Sequence, residues 1–132
     1  MEPKSISEQK HAARAEARAH LAGCTPEDML RWGEAMFEYL RLLPVWNTAR
    51  TVMCFVSMPF EPDTRPLLQA ALREGRTLCL PRQCEDGWME AHRVAALFAL
   101  RRGPHGILEP PYTLPVVDPA GIDLVVAPCL AA

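Results

Sequence analysis

The chain has 132 residues, 49% of them hydrophobic and 23% charged, with a formal net charge of −2. That length makes one domain, the composition is that of an ordinary globular protein, and the charge balance argues against a nucleic-acid binder. No run nears the roughly 18 apolar residues that cross a bilayer, and the charged N-terminus lacks the apolar core of a secretory signal, so no membrane partner and a cytoplasmic location are expected.

Ser5-Ile6-Ser7-Glu8 has the capping-box pattern, a hydroxyl followed three residues later by glutamate. It opens an Ala-rich helix expected to reach about His20, with Gly23 as its end. Thr25-Pro26-Glu27-Asp28 starts a second helix, with proline in the first position and acids in the first turn. Met29, Trp32, Met36, Leu40 and Leu43 then recur at helical spacing, which predicts one buried face, and Pro44 is expected to close the helix. Thr51 to Ser57 is a continuous apolar run that reads as a strand covered on both faces. A helix capped by Thr64 is expected from about Arg65 to Glu74, and a short strand from Thr77 to Leu80, stopped by Pro81. That strand–helix–strand unit predicts a parallel pair. Trp88 to Val94 is a further candidate strand after the Asp86-Gly87 turn. Ala95 to Arg102 reads as a short helix, residues 104–119 with their five prolines as loop, and Ile122 to Ala127 as the last strand.

Five cysteines (Cys24, Cys54, Cys79, Cys84 and Cys129) are an odd number without a CxxC pair, which excludes the usual zinc and dithiol signatures. Cys54 and Cys79 fall in strand patterns, where a thiol acts as a small hydrophobe, and Cys129 is read as structural. The four histidines show no metal-ligand spacing, and neither GxxxxGK[ST] nor GxGxxG is present.

Three stretches carry candidate chemistry. Lys10 and Arg14 lie one turn apart on the first helix, where paired cations suit an anion such as phosphate; a solvated face is the plain alternative, because Glu16 and Arg18 continue the charges. Phe55 to Thr64, FVSMPFEPDT, occupies the strand-to-helix loop where α/β folds place ligands. There Asp63 or Thr64 can be spent on capping, whereas Glu61 has no capping role. Gly103 to Pro111, GPHGILEPP, is either a pocket rim or a rigid surface loop.

In order along the chain, these pieces resemble the 5-formyltetrahydrofolate cyclo-ligase family. The matching elements are Lys10-x-x-x-Arg14, Ser57 followed by Glu61-Pro62-Asp63-Thr64, Gly75 to Pro81, Met89 in its strand, the Gly106 to Pro110 loop, and Asp123 to Pro128. The resemblance implies a three-layer α/β/α domain with a mainly parallel sheet, of the kind shared with sugar-phosphate isomerases and CoA transferases. The family continues beyond Pro128 into a glycine-rich basic segment that cradles phosphate, so the sheet is expected to be incomplete at the C-terminus and the chain alone nearly inactive. The implied reaction is the ATP- and Mg²⁺-dependent closure of 5-formyltetrahydrofolate to 5,10-methenyltetrahydrofolate, releasing ADP and phosphate. Lys10 and Arg14 are the implied ATP-binding residues. Val56, Met58, Glu61, Gly106 and Glu109 are the implied folate-site residues, Glu61 as hydrogen-bond acceptor; no catalytic residue is assigned, and no protein-held metal is expected. The expected partner is the small-molecule folate, with or without a polyglutamate tail, and the expected state is a monomer. The competing expectation is a module that holds reduced folate or nucleotide without turnover. A sugar-phosphate enzyme is disfavoured, because the loop at Met58 to Thr64 lacks a Gly/Ser-rich phosphate cradle.

Overall fold

The computed structural model describes residues 2–130. Helix α1 spans Ile6–Leu21 and α2 Pro26–Arg41. Both begin in capping boxes. The Ser5 hydroxyl accepts from the Glu8 amide (3.2 Å) while the Glu8 carboxylate accepts from the Ser5 amide (2.7 Å), and Thr25 and Asp28 repeat the exchange at 3.1 and 2.9 Å. Pro44 does not close α2. It opens a short helix, α3 (Pro44–Thr48), because proline at the first helical position gives up an N–H that has no intrahelical partner. The predicted buried face of α2 also needs correcting. Met29 is buried, but Trp32, Met36 and Leu43 are 39%, 56% and 40% exposed. Trp32, Met36 and Leu40 of this stripe line a cavity, and Leu40 also packs against the core.

The central sheet is built of β1 (Thr51–Met53), β2 (Thr77–Gln83), β3 (Met89–Val94), β6 (Val116–Val117) and β7 (Leu124–Val125). It is mixed, in the order β6-β3-β2-β1-β7, with four strands running one way and β3 against them. Strand β1 is parallel to both β2 and β7, and α4 (Arg65–Arg73) connects β1 to β2. Beyond Met53 the chain stays beside β2 through the Cys54 amide, which donates to the Cys79 carbonyl (3.1 Å). Strand β2 runs through Pro81 rather than stopping at it. Pairing with β1 ends at Cys79, so beyond that point β2 is an edge strand on that side, where proline is tolerated. Strand β3 returns antiparallel, with Asp86 and Gly87 at φ 64° and 77° in the turn.

The expected helix at Ala95 to Arg102 is not formed. A single 3₁₀ turn at Leu97–Ala99 leads into β4 (Arg101–Arg102), which pairs antiparallel with β5 (Leu108–Glu109). Pairing across the positive-φ turn at His105 and Gly106 outcompetes the local helical preference.

Residues facing one side of the sheet form the core: Val52 and Cys54, Leu78 and Leu80, and Val94, packed under Leu67, Leu68, Ala70 and Ala71 of α4 and Trp46 of α3. Phe37 meets Trp46 edge-on, with ring centroids 5.5 Å apart. The Arg76 guanidinium lies 4.4 Å from the Trp46 ring centroid and donates to the Ala49 carbonyl, a cation–π contact that also ties α3 to the start of β2.

Strand β7 is tied to β1 by more than its two pairings. The Asp123 carboxylate accepts from the amides of Arg50 and Thr51, both at 2.9 Å. These bonds favour the charged form and hold its pKa below the usual aspartate value, the Thr51 bond contributing most.

Candidate functional site

Helix α2, the β1–α4 loop and the segment from Leu124 to Leu130 enclose a cavity of about 1100 Å³. It lies at the carboxyl ends of parallel strands, where open α/β sheets take their ligands, and it is large enough for a drug-sized molecule. Its wall is mainly apolar and aromatic, with Trp32, Met36, Phe37, Phe55 and Phe60, and its charged side chains are Arg18, Glu61 and Asp63.

The loop that carries Glu61 is held closed at its base. The Ser57 amide donates to the Thr64 hydroxyl (3.0 Å), the Thr64 amide donates to the Ser57 hydroxyl (3.1 Å), and the Thr64 hydroxyl donates to the Phe55 carbonyl (2.8 Å). Thr64 stands at the N-cap of α4 but makes no side-chain cap bond. Asp63 takes that part, accepting from the Arg65 amide at 3.0 Å and pairing with the Arg65 side chain at 3.0 Å. Burial pushes the Asp63 carboxyl up, yet the hydrogen bonds and charge of Arg65 outweigh it and hold the group low.

Glu61 lies in the cavity wall, as the sequence position suggests. One of its oxygens, Oε1, accepts from the Met58 amide at 2.8 Å. So Glu61 has a structural bond that spacing did not reveal, and its second oxygen has no hydrogen-bond partner among the described residues. Met58 is half-buried and supplies that amide; Val56 packs against the core. Neither lines the cavity.

The remaining candidates lie apart from this wall. Lys10 and Arg14 are exposed on α1, a helix with no buried residue, and make no ion pair among the described residues. Arg18, one turn beyond Arg14, is the cation that reaches the cavity. Its signal was present in the sequence as the continuation of the Lys10–Arg14 column at i+4 spacing. Gly106 sits in the β4–β5 turn. Glu109 is 8% exposed, with its carboxylate 3.5 Å from Arg82 and accepting from the Gln83 amide at 3.2 Å. It anchors the small hairpin to β2 and does not line the cavity.

Cys129, read as structural, is exposed and belongs to the cavity wall. Cys54 and Cys79 are buried, which pushes their thiols up to about 12 and about 11 and makes them inert at neutral pH. His92, 1% exposed, bridges the Leu114 carbonyl (2.8 Å) and Glu90 (3.1 Å). It fastens the proline-rich segment to β3, a role that motif spacing could not reveal. No three His, Cys, Asp or Glu side chains converge on a metal site among the described residues.

A search of the curated proteins gives no match. Among solved structures, the chain is similar to the NMR structure of 5,10-methenyltetrahydrofolate synthetase from Aquifex aeolicus, with a TM-score of 0.79 and 26% identity. The match covers 92% of this chain and 61% of that protein, so the chain spans about three fifths of the relative's length. A family model described as the 5-formyltetrahydrofolate cyclo-ligase family matches residues 6–132. With the fold agreeing and the match running through α1, the Glu61 loop and β7, the chain belongs to the 5-formyltetrahydrofolate cyclo-ligase family.

Proposed function

We propose that the protein binds 5-formyltetrahydrofolate in the cavity beside Glu61 and serves its ATP-dependent cyclisation to 5,10-methenyltetrahydrofolate. The observation that carries this reading is a large aromatic-lined cavity at the strand ends with a carboxylate in its wall. A flat, hydrogen-bonding ring system fits that chemistry: aromatic side chains cover its faces while one or two polar groups fix its orientation. Glu61 supplies the acceptor. Its bond to the Met58 amide restrains the side chain before the ligand arrives, so less rotamer entropy is lost on binding.

On the phosphate side, Arg18 lies in the cavity wall, and Lys10 and Arg14 extend the same column of cations along α1. These side chains hold and orient anionic oxygens. Mg²⁺ would enter bound to the nucleotide's phosphates, bridging their oxygens and neutralising charge there. Phosphoryl transfer needs several donors around the transferring group, and Arg18 is the one cation lining the cavity among the described residues. The second reading, a module that retains folate without consuming ATP, rests on the same apolar cavity, which serves binding whether or not phosphoryl transfer follows.

Calorimetry with 5-formyltetrahydrofolate, beside an absorbance assay for the methenyl product with MgATP, tests both. Binding that is lost in Glu61→Ala supports the site, and any product formation supports the ligase over the binder. A folded protein that binds no reduced folate refutes the proposal.

A further inference from the structure

We infer that Gly33 is a positioning residue for the Glu61 carboxylate: its missing side chain lets α2 rest directly on the backbone of Asp63, which fixes the loop that carries Glu61. The inference rests on the folate-site reading of Glu61 above.

Gly33 lies buried in the middle of α2, where glycine costs about 1 kcal/mol of helix stability relative to alanine. Its backbone is not at positive φ, so conformational freedom does not explain it. Space does. A Cβ at this position would stand 2.1 Å from the Asp63 carbonyl oxygen, 2.7 Å from its amide nitrogen and 2.8 Å from its carbonyl carbon. All three are backbone atoms that cannot rotate out of the way.

A hydrogen bond marks the same contact. The Asp63 amide donates to the Met29 carbonyl at 3.0 Å. In a regular α-helix that carbonyl also accepts from the Gly33 amide, four residues on. Its second lone pair therefore serves the loop at the spot where Gly33 has no side chain.

The constraint reaches Glu61 along a short path. Pro62 is the only residue between Asp63 and Glu61, and its ring fixes φ. On its other side Glu61 is bonded twice to Met58, by its amide to the Met58 carbonyl (2.9 Å) and by its carboxylate to the Met58 amide (2.8 Å). The loop is thus gripped at its base by the Ser57–Thr64 exchange and on its outer limb by α2. An added methyl at Gly33 opens the second grip by about 1 Å, a displacement that costs on the order of 10²-fold when it reaches a working group.

The test uses the full chain and 5-formyltetrahydrofolate as titrant in calorimetry, with far-UV circular dichroism to confirm folding. Gly33→Ala is expected to weaken binding about 100-fold. In a Glu61→Gln background the same change is expected to alter affinity by less than about 2-fold, because its effect runs through Glu61. Equal losses in both backgrounds overturn the inference and leave Gly33 as ordinary packing. A second arm needs neither a folded variant nor a ligand. In the unsubstituted protein, amide hydrogen exchange is expected to show the Asp63 and Met58 amides protected together with the interior of α2. An Asp63 amide exchanging at the rate of an open loop overturns the inference. Failure of the unsubstituted protein to bind folate refutes the proposed function, while the exchange arm still decides the grip.

Discussion

Replacing Thr64 by valine separates hydrogen bonding from packing at the base of the site loop. Thr64 is 8% exposed, and its hydroxyl is used twice, donating to the Phe55 carbonyl at 2.8 Å and accepting from the Ser57 amide at 3.0 Å. Valine keeps the shape, so no cavity opens. What is lost is a partner for two backbone groups, each costing about 1–3 kcal/mol when left unpaired away from water. Both bonds are only part-buried, which places the sum toward the low end, about 2–3 kcal/mol. Thr64→Ser is the control: it keeps the hydroxyl and gives up one methyl, at a cost of about 1 kcal/mol. Urea titration read by tryptophan fluorescence suits the measurement, because Trp46 is 2% exposed and sits in the core against α4. The expected order of midpoints is wild type, then Ser, then Val, at unchanged slope. A valine variant as stable as the serine variant, within about 0.5 kcal/mol, refutes the view that these two bonds hold the loop.

Two further predictions rest on ionisation. Asp123 has a lowered folded pKa because the Thr51 and Arg50 amides bond its charged form, so its stabilising effect is complete above the ordinary aspartate value near pH 4 and fades as pH falls through the lowered one; Asp123→Asn is expected to flatten that acid limb in denaturation midpoints measured against pH, and an unchanged limb refutes the assignment. With burial pushing the Cys54 and Cys79 thiols up to about 12 and about 11, alkylation at about pH 8 is expected to modify exposed Cys129 first, as read by peptide mass, and labelling of Cys54 or Cys79 at a comparable rate in the native protein counts against it.

Local rules made the helix starts legible. Ser5 with Glu8, and Thr25-Pro26, act through neighbours within four residues, and the structure places both caps where those residues stand. The β1–α4–β2 unit was legible for a similar reason, since an apolar run, an amphipathic helix and a second apolar run leave few arrangements. Periodicity failed at α2 because an apolar stripe reports which face avoids water but not what covers it; Trp32 and Met36 face a cavity. It failed again at Arg101–Arg102, whose partners Leu108 and Glu109 lie beyond an intervening turn. In the site, position in the fold singled out Glu61, but its bond to Met58 depends on a loop path that sequence does not specify. Glu109 shows the converse: a lone carboxylate in a loop of small residues and prolines reads as a rim, yet it is the peg that holds a hairpin against Arg82 and Gln83.

The attachment of β7 to β1 bears on the order in which the molecule assembles. The Asp123 bonds to Arg50 and Thr51 close loops of 73 and 72 residues, an entropic cost of about 4 kcal/mol by the logarithmic loop law. It is offset by two residue pairs, the carboxylate, the backbone bonds from Asp123 to Thr51 and from Val126 to Met53, and the packing of Leu124 and Val126. The β2–β3 hairpin, joined through a short turn and paired over six positions, closes far more cheaply. Strand β7 is therefore expected to dock after that hairpin and to detach before it. Because Leu124 to Leu130 form one wall of the cavity, the core around Trp46 and Leu68 can be complete while the cavity is still open on that side. Fluorescence from the core reports on one event and ligand capture on another, later one.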